Sequence, residues 1–385
     1  MKLAFQLAYK NLMGAGLRTW LNVAILSFSF VIIVLFNGLT NGWNQQAVTN
    51  SIQWEFGNGE LLNAGYDPYN PFSLQDGHGI LPAENNQNLT PVLIRQATVY
   101  PQGRMMSVLV KGIETNQKTL KLPTDILEKS NAEIPAIVGI RMATSLNLKK
   151  GGQVLLRWRD KNGTFDAANI TIAGIFSTQI ATVDNGQIWI PIKKLREMTG
   201  LNQQATLFVA GNNFVPKKIT GWKFEDKKNL LKDVNSAVMM ERVSDSFIYL
   251  MLLAIALLAI FDTQVLSIFR RQREIGTYIS LGMTRKQVVK LFTVEGSMYS
   301  ILATIVGCIY GIPLFIYVAH TGIGMPSVAQ DMGVGIAERL FPYFSVWLIL
   351  GTMVLVIISA TIVSYMPAKK IAKMDPVNAL KGKLQ

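Results

Sequence analysis

Four stretches of this 385-residue chain are long and apolar enough to cross a bilayer as helices, and they constrain the fold more than any other feature. A hydrocarbon core about 30 Å thick takes about 20 helical residues. Residues 21–40 (LNVAILSFSFVIIVLFNGLT), 296–319 and 344–366 carry no charge, and 247–269 (FIYLMLLAIALLAIFDTQVLSIF) carries only Asp262. Lipid offers no water to backbone N–H and C=O groups, so each run must satisfy them internally as a helix. A cleaved leader is the competing reading of the first run. That run starts late and no small-x-small pattern follows it convincingly, so an uncleaved anchor is expected.

Charge placement then sets the topology. The net charge of +13 points first to nucleic acid or anionic lipid. Residues 1–20, the connector 270–295 and the tail from Lys369 hold fourteen Lys/Arg against Glu274, Glu295 and Asp375, a net +11. The loop 320–343 has one basic residue, Arg339. Basic residues between spans stay on the cytoplasmic side. Both termini and the connector are therefore expected in the cytoplasm, and the basicity is a topology signal rather than a nucleic-acid footprint.

Residues 42–243 follow as one inserted domain on the far side, with 22 Lys/Arg and 17 Asp/Glu. Strand patterns recur at 92–100, 104–113, 152–160, 169–176, 186–192 and 206–211, with helical candidates near 122–130, 141–152 and 191–200. The Asn-Gly in RDKNGTF (159–165) predicts a hairpin turn. An α+β fold results. Residues 55–90, rich in Gly, Asn and Pro, read as an irregular excursion or a binding loop. Residues 226–270 contain neither Pro nor Gly, so one helix could run from this domain into span two, or break near Ser244–Ser246.

The single cysteine, Cys308, lies within a span, and the only histidines are His78 and His320. Neither a disulfide framework nor a Cys- or His-based metal site can be built from these. No nucleophile–base pairing is visible, which disfavours a standalone enzyme.

The connector RRQREIGTYISLGMTRKQ (270–287) is short and strongly charged. Arg273 to Leu281 can form a short helix that stops at Gly282, where positive φ suits glycine. Thr284 and Gln287 then form a capping box that opens the next helix. The arginines could anchor the chain to anionic headgroups. Alternatively, the short helix is a docking surface for a cytoplasmic partner.

Residues 273–296, REIGTYISLGMTRKQVVKLFTVEG, resemble the signature of FtsX-like ABC transporter permeases. The tail PAKKIAKMDPVNALKG (367–382) and the start LAYKNLMGAGLRTWLN (7–22) are similar to that family's ends. The resemblance implies an N-terminal amphipathic helix and first span (1–42), an extracytoplasmic α+β domain (43–244), and a permease domain with three spans and a cytoplasmic coupling helix (245–385). Arg273, Glu274, Ile275, Gly276, Leu281, Gly282, Thr284 and Arg285 would contact an ATP-binding subunit, with Glu274 and Ile275 seated in its groove. Asp262 falls where the family often has a polar residue. Snorkelling toward Arg270 or a span–span hydrogen bond is expected of it ahead of proton relay.

Residues 136–156 and 170–201 resemble the lipoprotein-releasing permeases of the Lol type and also the MacB type. The chain has no G-x-x-x-x-G-K-[ST] stretch, so ATP is expected on a separate subunit and no cofactor on this chain. The expected partners are two cytoplasmic ATPase subunits, a second permease (a copy or a paralogue), membrane lipids, and a periplasmic chaperone or adaptor. The expected location is the inner membrane and the expected work is mechanotransmission, extracting lipoproteins or another amphiphile from the outer leaflet. MacB-like export and FtsX-like control of a cell-wall hydrolase are the alternatives.

Overall fold

The computed structural model describes residues 16–82, 88–178, 180–324 and 339–371. The expected amphipathic start before Gly16 and the Asp-Pro tail beyond Ile371 lie outside the described residues. The chain divides into two compact units. One draws on residues up to Trp43, Val238–Ile323 and residues from Leu340 onward, and the other is built mainly from Asn44–Ala237.

The first long helix, α1, spans Leu17–Ser51. Nine strands then form one sheet: β1 (Gly59–Asn63), β2 (Leu89–Tyr100), β3 (Met106–Ile113), β4 (Pro135–Gly139), β5 (Gln153–Arg159), β6 (Phe165–Phe176), β7 (Gln187–Pro191), β8 (Leu207–Ala210) and β9 (Trp222–Asp226). Short helices intervene: α2 (Asp125–Glu128), α3 (Ile140–Ser145), α4 (Ala181–Asp184), α5 (Ile192–Thr199) and α6 (Lys227–Leu230).

Strand β2 shapes the sheet because both its edges are used. Residues Val92–Val99 pair with β3, while Leu89–Val92 pair with β8 and Ala97–Tyr100 with β5. The pairings β2–β3–β7–β4–β6–β5–β2 close a six-stranded ring, from which β8, β1 and β9 extend. The β3–β7 and β4–β6 pairs are parallel. Side chains alternate across a strand, and β5 (QVLLRWR) alternates exposed and buried along its whole length. Val154, Leu156 and Trp158 thereby join Val108, Val110, Ile170, Ile172, Ile188 and Ile190 in one apolar interior. Helix α5 adds Ile192 and Leu195 and stops at Gly200, φ +69°, a left-handed cap. The expected hairpin joins β5 to β6, with Gly163 at φ +82°.

All six expected strands are present. Three more, β1, β4 and β9, were not anticipated. Residues 55–90 are accordingly less irregular than expected, since β1 lies between β8 and β9.

The remaining long elements are helices: α7 (Lys232–Arg270), α8 (Gln272–Ser280), α9 (Arg285–Thr321) and α10 (Val346–Ile371). Helices α1, α7, α9 and α10 are long and apolar enough to cross a membrane. Helix α7 is unbroken at Ser244–Ser246, and the interruption falls earlier, at Leu231. Phe30 and Val34 of α1, Ile260 of α7, Ala303 of α9 and Ala360 of α10 share one core. Glycine permits the closest approach. A Cβ at Gly307 would sit 2.8 Å from Phe30 Cδ1, and one at Gly311 would sit 2.9 Å from Val31 Cγ2. Small residues bring helices together in this way where burial from water supplies no drive between them.

Candidate functional site

The connector folds as its residues predict. Helix α8 begins after Arg271, whose φ of −102° and ψ of 20° depart from helical values. It ends on Leu281 in a Schellman arrangement. Met283 N–H donates to the Tyr278 carbonyl at 3.0 Å, and Gly282 N–H to that of Ile279 at 3.0 Å. Gly282 holds φ +96°, a value that disfavours side chains. Thr284 N–H then donates to Gln287 Oε1 at 2.8 Å and Gln287 N–H to Thr284 Oγ1 at 3.3 Å, the expected capping box.

The helix has two faces. Gln272, Ile275 and Gly276 are buried. Ile275 packs with Ile268, Val288, Val289, Phe292 and Ala368, drawn from α7, α9 and α10. Ile275, expected in a partner's groove with Glu274, and Gly276, expected to allow the partner's close approach, are thus both buried within this chain. The opposite face is open. Arg273, Glu274, Gly282, Thr284 and Arg285 are exposed, and Leu281 is 79% exposed despite being apolar.

One residue absent from the expected set organises the site. Arg271 Nη1 donates to both carboxylate oxygens of Glu295, at 3.1 and 2.9 Å. Its Nε donates to Glu274 Oε2 at 2.7 Å, and the guanidinium lies over the Phe292 ring, 4.9 Å from the centroid. Burial alone pulls this guanidinium's pKa down, but the charges and hydrogen bonds of Glu295 and Glu274 outweigh it and the net shift is upward. Glu295 is only 4% exposed. The sequence held a signal for the pair: a carboxylate amid the otherwise apolar run that opens span three requires a cation.

Asp262 lies on the exposed side of α7. Among the described residues no hydrogen bond or ion pair joins it to Arg270. Its neighbour makes the span–span bond instead, with Asn22 Nδ2 donating to Thr263 Oγ1 at 2.8 Å. Gln264, one residue further, is 1% exposed, and among the described residues neither its Oε1 nor its Nε2 has a hydrogen-bond partner. In the sheet unit, His78 bonds Gln204 and the Gln75 carbonyl. Among the described residues no group of three His, Cys, Asp or Glu could hold a metal.

Residues 246–376 match the family model "FtsX-like permease C-terminal", which takes in the connector and the last three spans. The lipoprotein-releasing system transmembrane protein LolC of Neisseria meningitidis serogroup B is 22% identical over 347 residues, covering 78% of this chain and 82% of that protein. The macrolide export ATP-binding/permease protein MacB 2 of Aeromonas hydrophila is 26% identical over 152 residues, 40% of this chain but 21% of that protein. Among solved structures, the extracellular domain of the ABC-type transporter YknZ from Gram-positive bacteria aligns at a TM-score of 0.24 and 13% identity, covering 40% of this chain and 83% of that one. With the signature connector folded between two long apolar helices and the family match laid across it, residues 246–376 form an FtsX-like permease domain, in a chain similar to ABC transporter permeases of the MacB and LolC type.

Proposed function

We propose that this permease works by mechanotransmission in a Lol-like system, moving a lipoprotein or similar amphiphile out of the outer leaflet of the inner membrane. The observation that carries this reading is the reach of the LolC similarity, which extends over 82% of that relative and into the sheet domain. The MacB 2 similarity spans 152 residues. In this reading residues 43–244 lie outside the cytoplasm, while α8 and both termini lie inside. Two ATP-binding subunits grip a pair of permeases. The open face of α8, with Arg273 and Glu274, and the exposed turn that follows it, with Leu281, Gly282, Thr284 and Arg285, meet the ATP-binding subunit. Closure of the ATPases on ATP draws the two copies of α8 together, and α1 and α7 pass the motion to the sheet domains. ATP stays on the partner subunit.

Isolation of the complex in mild detergent tests the proposal. The expected result is an ATP-binding subunit together with triacylated proteins. Recovery of an adaptor with an outer-membrane channel would move the chain to MacB-like export, and recovery of a cell-wall hydrolase would move it to the FtsX-like role. Topology is tested separately by labelling single cysteines at positions 150 and 280 in a Cys308→Ser background. Labelling of both from the same side would end the mechanotransmission reading.

A further inference from the structure

We propose that Arg271 is the positioning residue of the coupling helix, the joint that makes α8 move as one body with the cytoplasmic part of α9. The inference rests on the reading above for its functional consequence, although the joint itself is a matter of local geometry.

Three features of this chain support it. First, Arg271 stands where the helical path is interrupted, between the end of α7 at Arg270 and the start of α8 at Gln272. A corner of this kind is where a short helix would swing if nothing held it. Second, one guanidinium makes three different contacts there. It bonds both oxygens of Glu295, it bonds Glu274 on α8, and it covers the Phe292 ring. Glu295 lies ten residues into α9, so the bond ties the first turn of α8 to a point about 15 Å along the neighbouring helix. Third, the tie is sheltered: the Arg271 side chain is 16% exposed and that of Glu295 5%. Screening by salt is weak for such a pair.

The packing beneath completes the joint. Ile275 and Gly276 face inward, and Ile275 meets Val288, Val289 and Phe292 of α9. The apolar contacts resist separation of the two helices, and the forked ion pair resists sliding and rotation. A push on the open face of α8 then has no slack to absorb it. Lysine could not replace arginine in this role, because a point charge cannot bond two carboxylates and cover a ring at once.

Arg271→Lys and the swap Arg271→Glu with Glu295→Arg form the test. Amide hydrogen exchange on the purified chain reads the joint without any partner. For Arg271→Lys, exchange at residues 272–280 should quicken at least tenfold while the middle of α9 stays protected, and the swap should recover part of that protection. In the complex, Arg271→Lys should retain the ATP-binding subunit and its hydrolysis while transport per ATP falls at least tenfold. A purely structural role would instead lower hydrolysis and transport together, through lost protein. Unchanged exchange in α8, or transport per ATP equal to wild type, would overturn the joint. If the wild-type chain captures no ATP-binding subunit, the functional reading fails, and the exchange result still decides the joint.

Discussion

The interior of the six-stranded ring and the core of the helical unit solve the same packing task with different materials. Inside the ring the apolar cluster is mostly aliphatic, with Leu93, Val108, Val110, Leu156, Ile170, Ile172, Ile188 and Ile190, and Arg95, 5% exposed, alternates onto the same face of β2. Between the long helices, Asn22, Thr263, Gln264, Ser300, Thr304 and Ser364 are all less than 9% exposed alongside the apolar core. Water explains the difference. A sheet domain bathed in it gains about 25 cal/mol for each Å² of apolar surface hidden, so its interior fills with branched hydrocarbon. In the proposed arrangement the long helices sit in lipid, where hiding one apolar side chain against another gains little. Close contact and side-chain hydrogen bonds hold them instead.

The sharpest way to break that comparison is to truncate one leucine in each setting. Leu156 is fully buried in the ring, and Leu156→Ala should cost about 2–5 kcal/mol through lost burial and the cavity left behind. Leu258 on α7 is 62% exposed, and Leu258→Ala in detergent should change stability by no more than about 0.5 kcal/mol. Thermal melts of the two variants, followed by tryptophan fluorescence, check both. Similar losses in the two would mean that Leu258 is covered by packing in the folded protein rather than exposed on the outside of the helices.

The sheet's other face carries an exception, which gives the next largest effect. Glu60, Lys111 and Trp189 lie on the face opposite the ring interior, where Lys111 Nζ sits 5.0 Å from the Trp189 ring centroid. Burial, then the charge of Glu55, push the Glu60 carboxyl up to about 8, and Lys111 only partly opposes them. Burial likewise lowers Lys111, and it pushes nearby Tyr66 up to about 12. Between the ordinary carboxyl value and pH 8 the unfolded chain has released the Glu60 proton while the folded chain keeps it. Raising pH through that window therefore favours unfolding. Relative to Glu60→Gln, the wild type should lose stability from pH 4.5 to about 8, by at most about 1.4 kcal/mol per pH unit. Parallel pH profiles for the two proteins would show that Glu60 is ionised when folded.

These residues also mark how far the order of amino acids alone reveals the fold. The spans, the Asn-Gly hairpin, the Gly282 stop and the Thr284 capping box were legible because each depends on a few adjacent residues. Two of the three unexpected strands lack the alternation that marks a half-buried strand, and the third is short. The first four residues of β1 (GELLN) and all of β4 (PAIVG) are buried, while β9 (WKFED) is a charged edge. Closure of the ring was illegible for a different reason. It depends on β2 sharing one edge between β8 and β5, which no local pattern encodes. At the connector the sequence identified the right helix but not which face of it points inward. Ile275 looks as ready for a partner as for a core until Val288, Val289 and Phe292 are placed beside it.

In the helical unit the comparison sharpens at Gly296, where a methyl group would run into Ser364 Oγ and Cβ and stand 3.0 Å from Gln264 Nε2. Gly296→Ala should cost about 1–3 kcal/mol as overpacking. It should also separate α9 from α10, which a cysteine cross-link between those helices would report as a slower reaction. Unaltered stability and cross-linking would mean that the contact yields easily and that small residues do not set the spacing here.

The smallest effect is expected to be a gain, at the amide beside that glycine. Gln264 is 1% exposed with neither amide atom bonded among the described residues, whereas its neighbour Thr263 is paired with Asn22. A buried polar group without a partner costs about 1–3 kcal/mol, and an apolar side chain of similar shape avoids that cost. Gln264→Leu should therefore raise the melting temperature of the purified chain by a few degrees, whereas Thr263→Val, which breaks a bond already made, should lower it. If polar side chains in this bundle contribute by bonding rather than by shape, the two neighbouring substitutions must move stability in opposite directions. A loss in both would show that Gln264 finds a partner in the folded bundle, and would make it part of the glue that joins these helices.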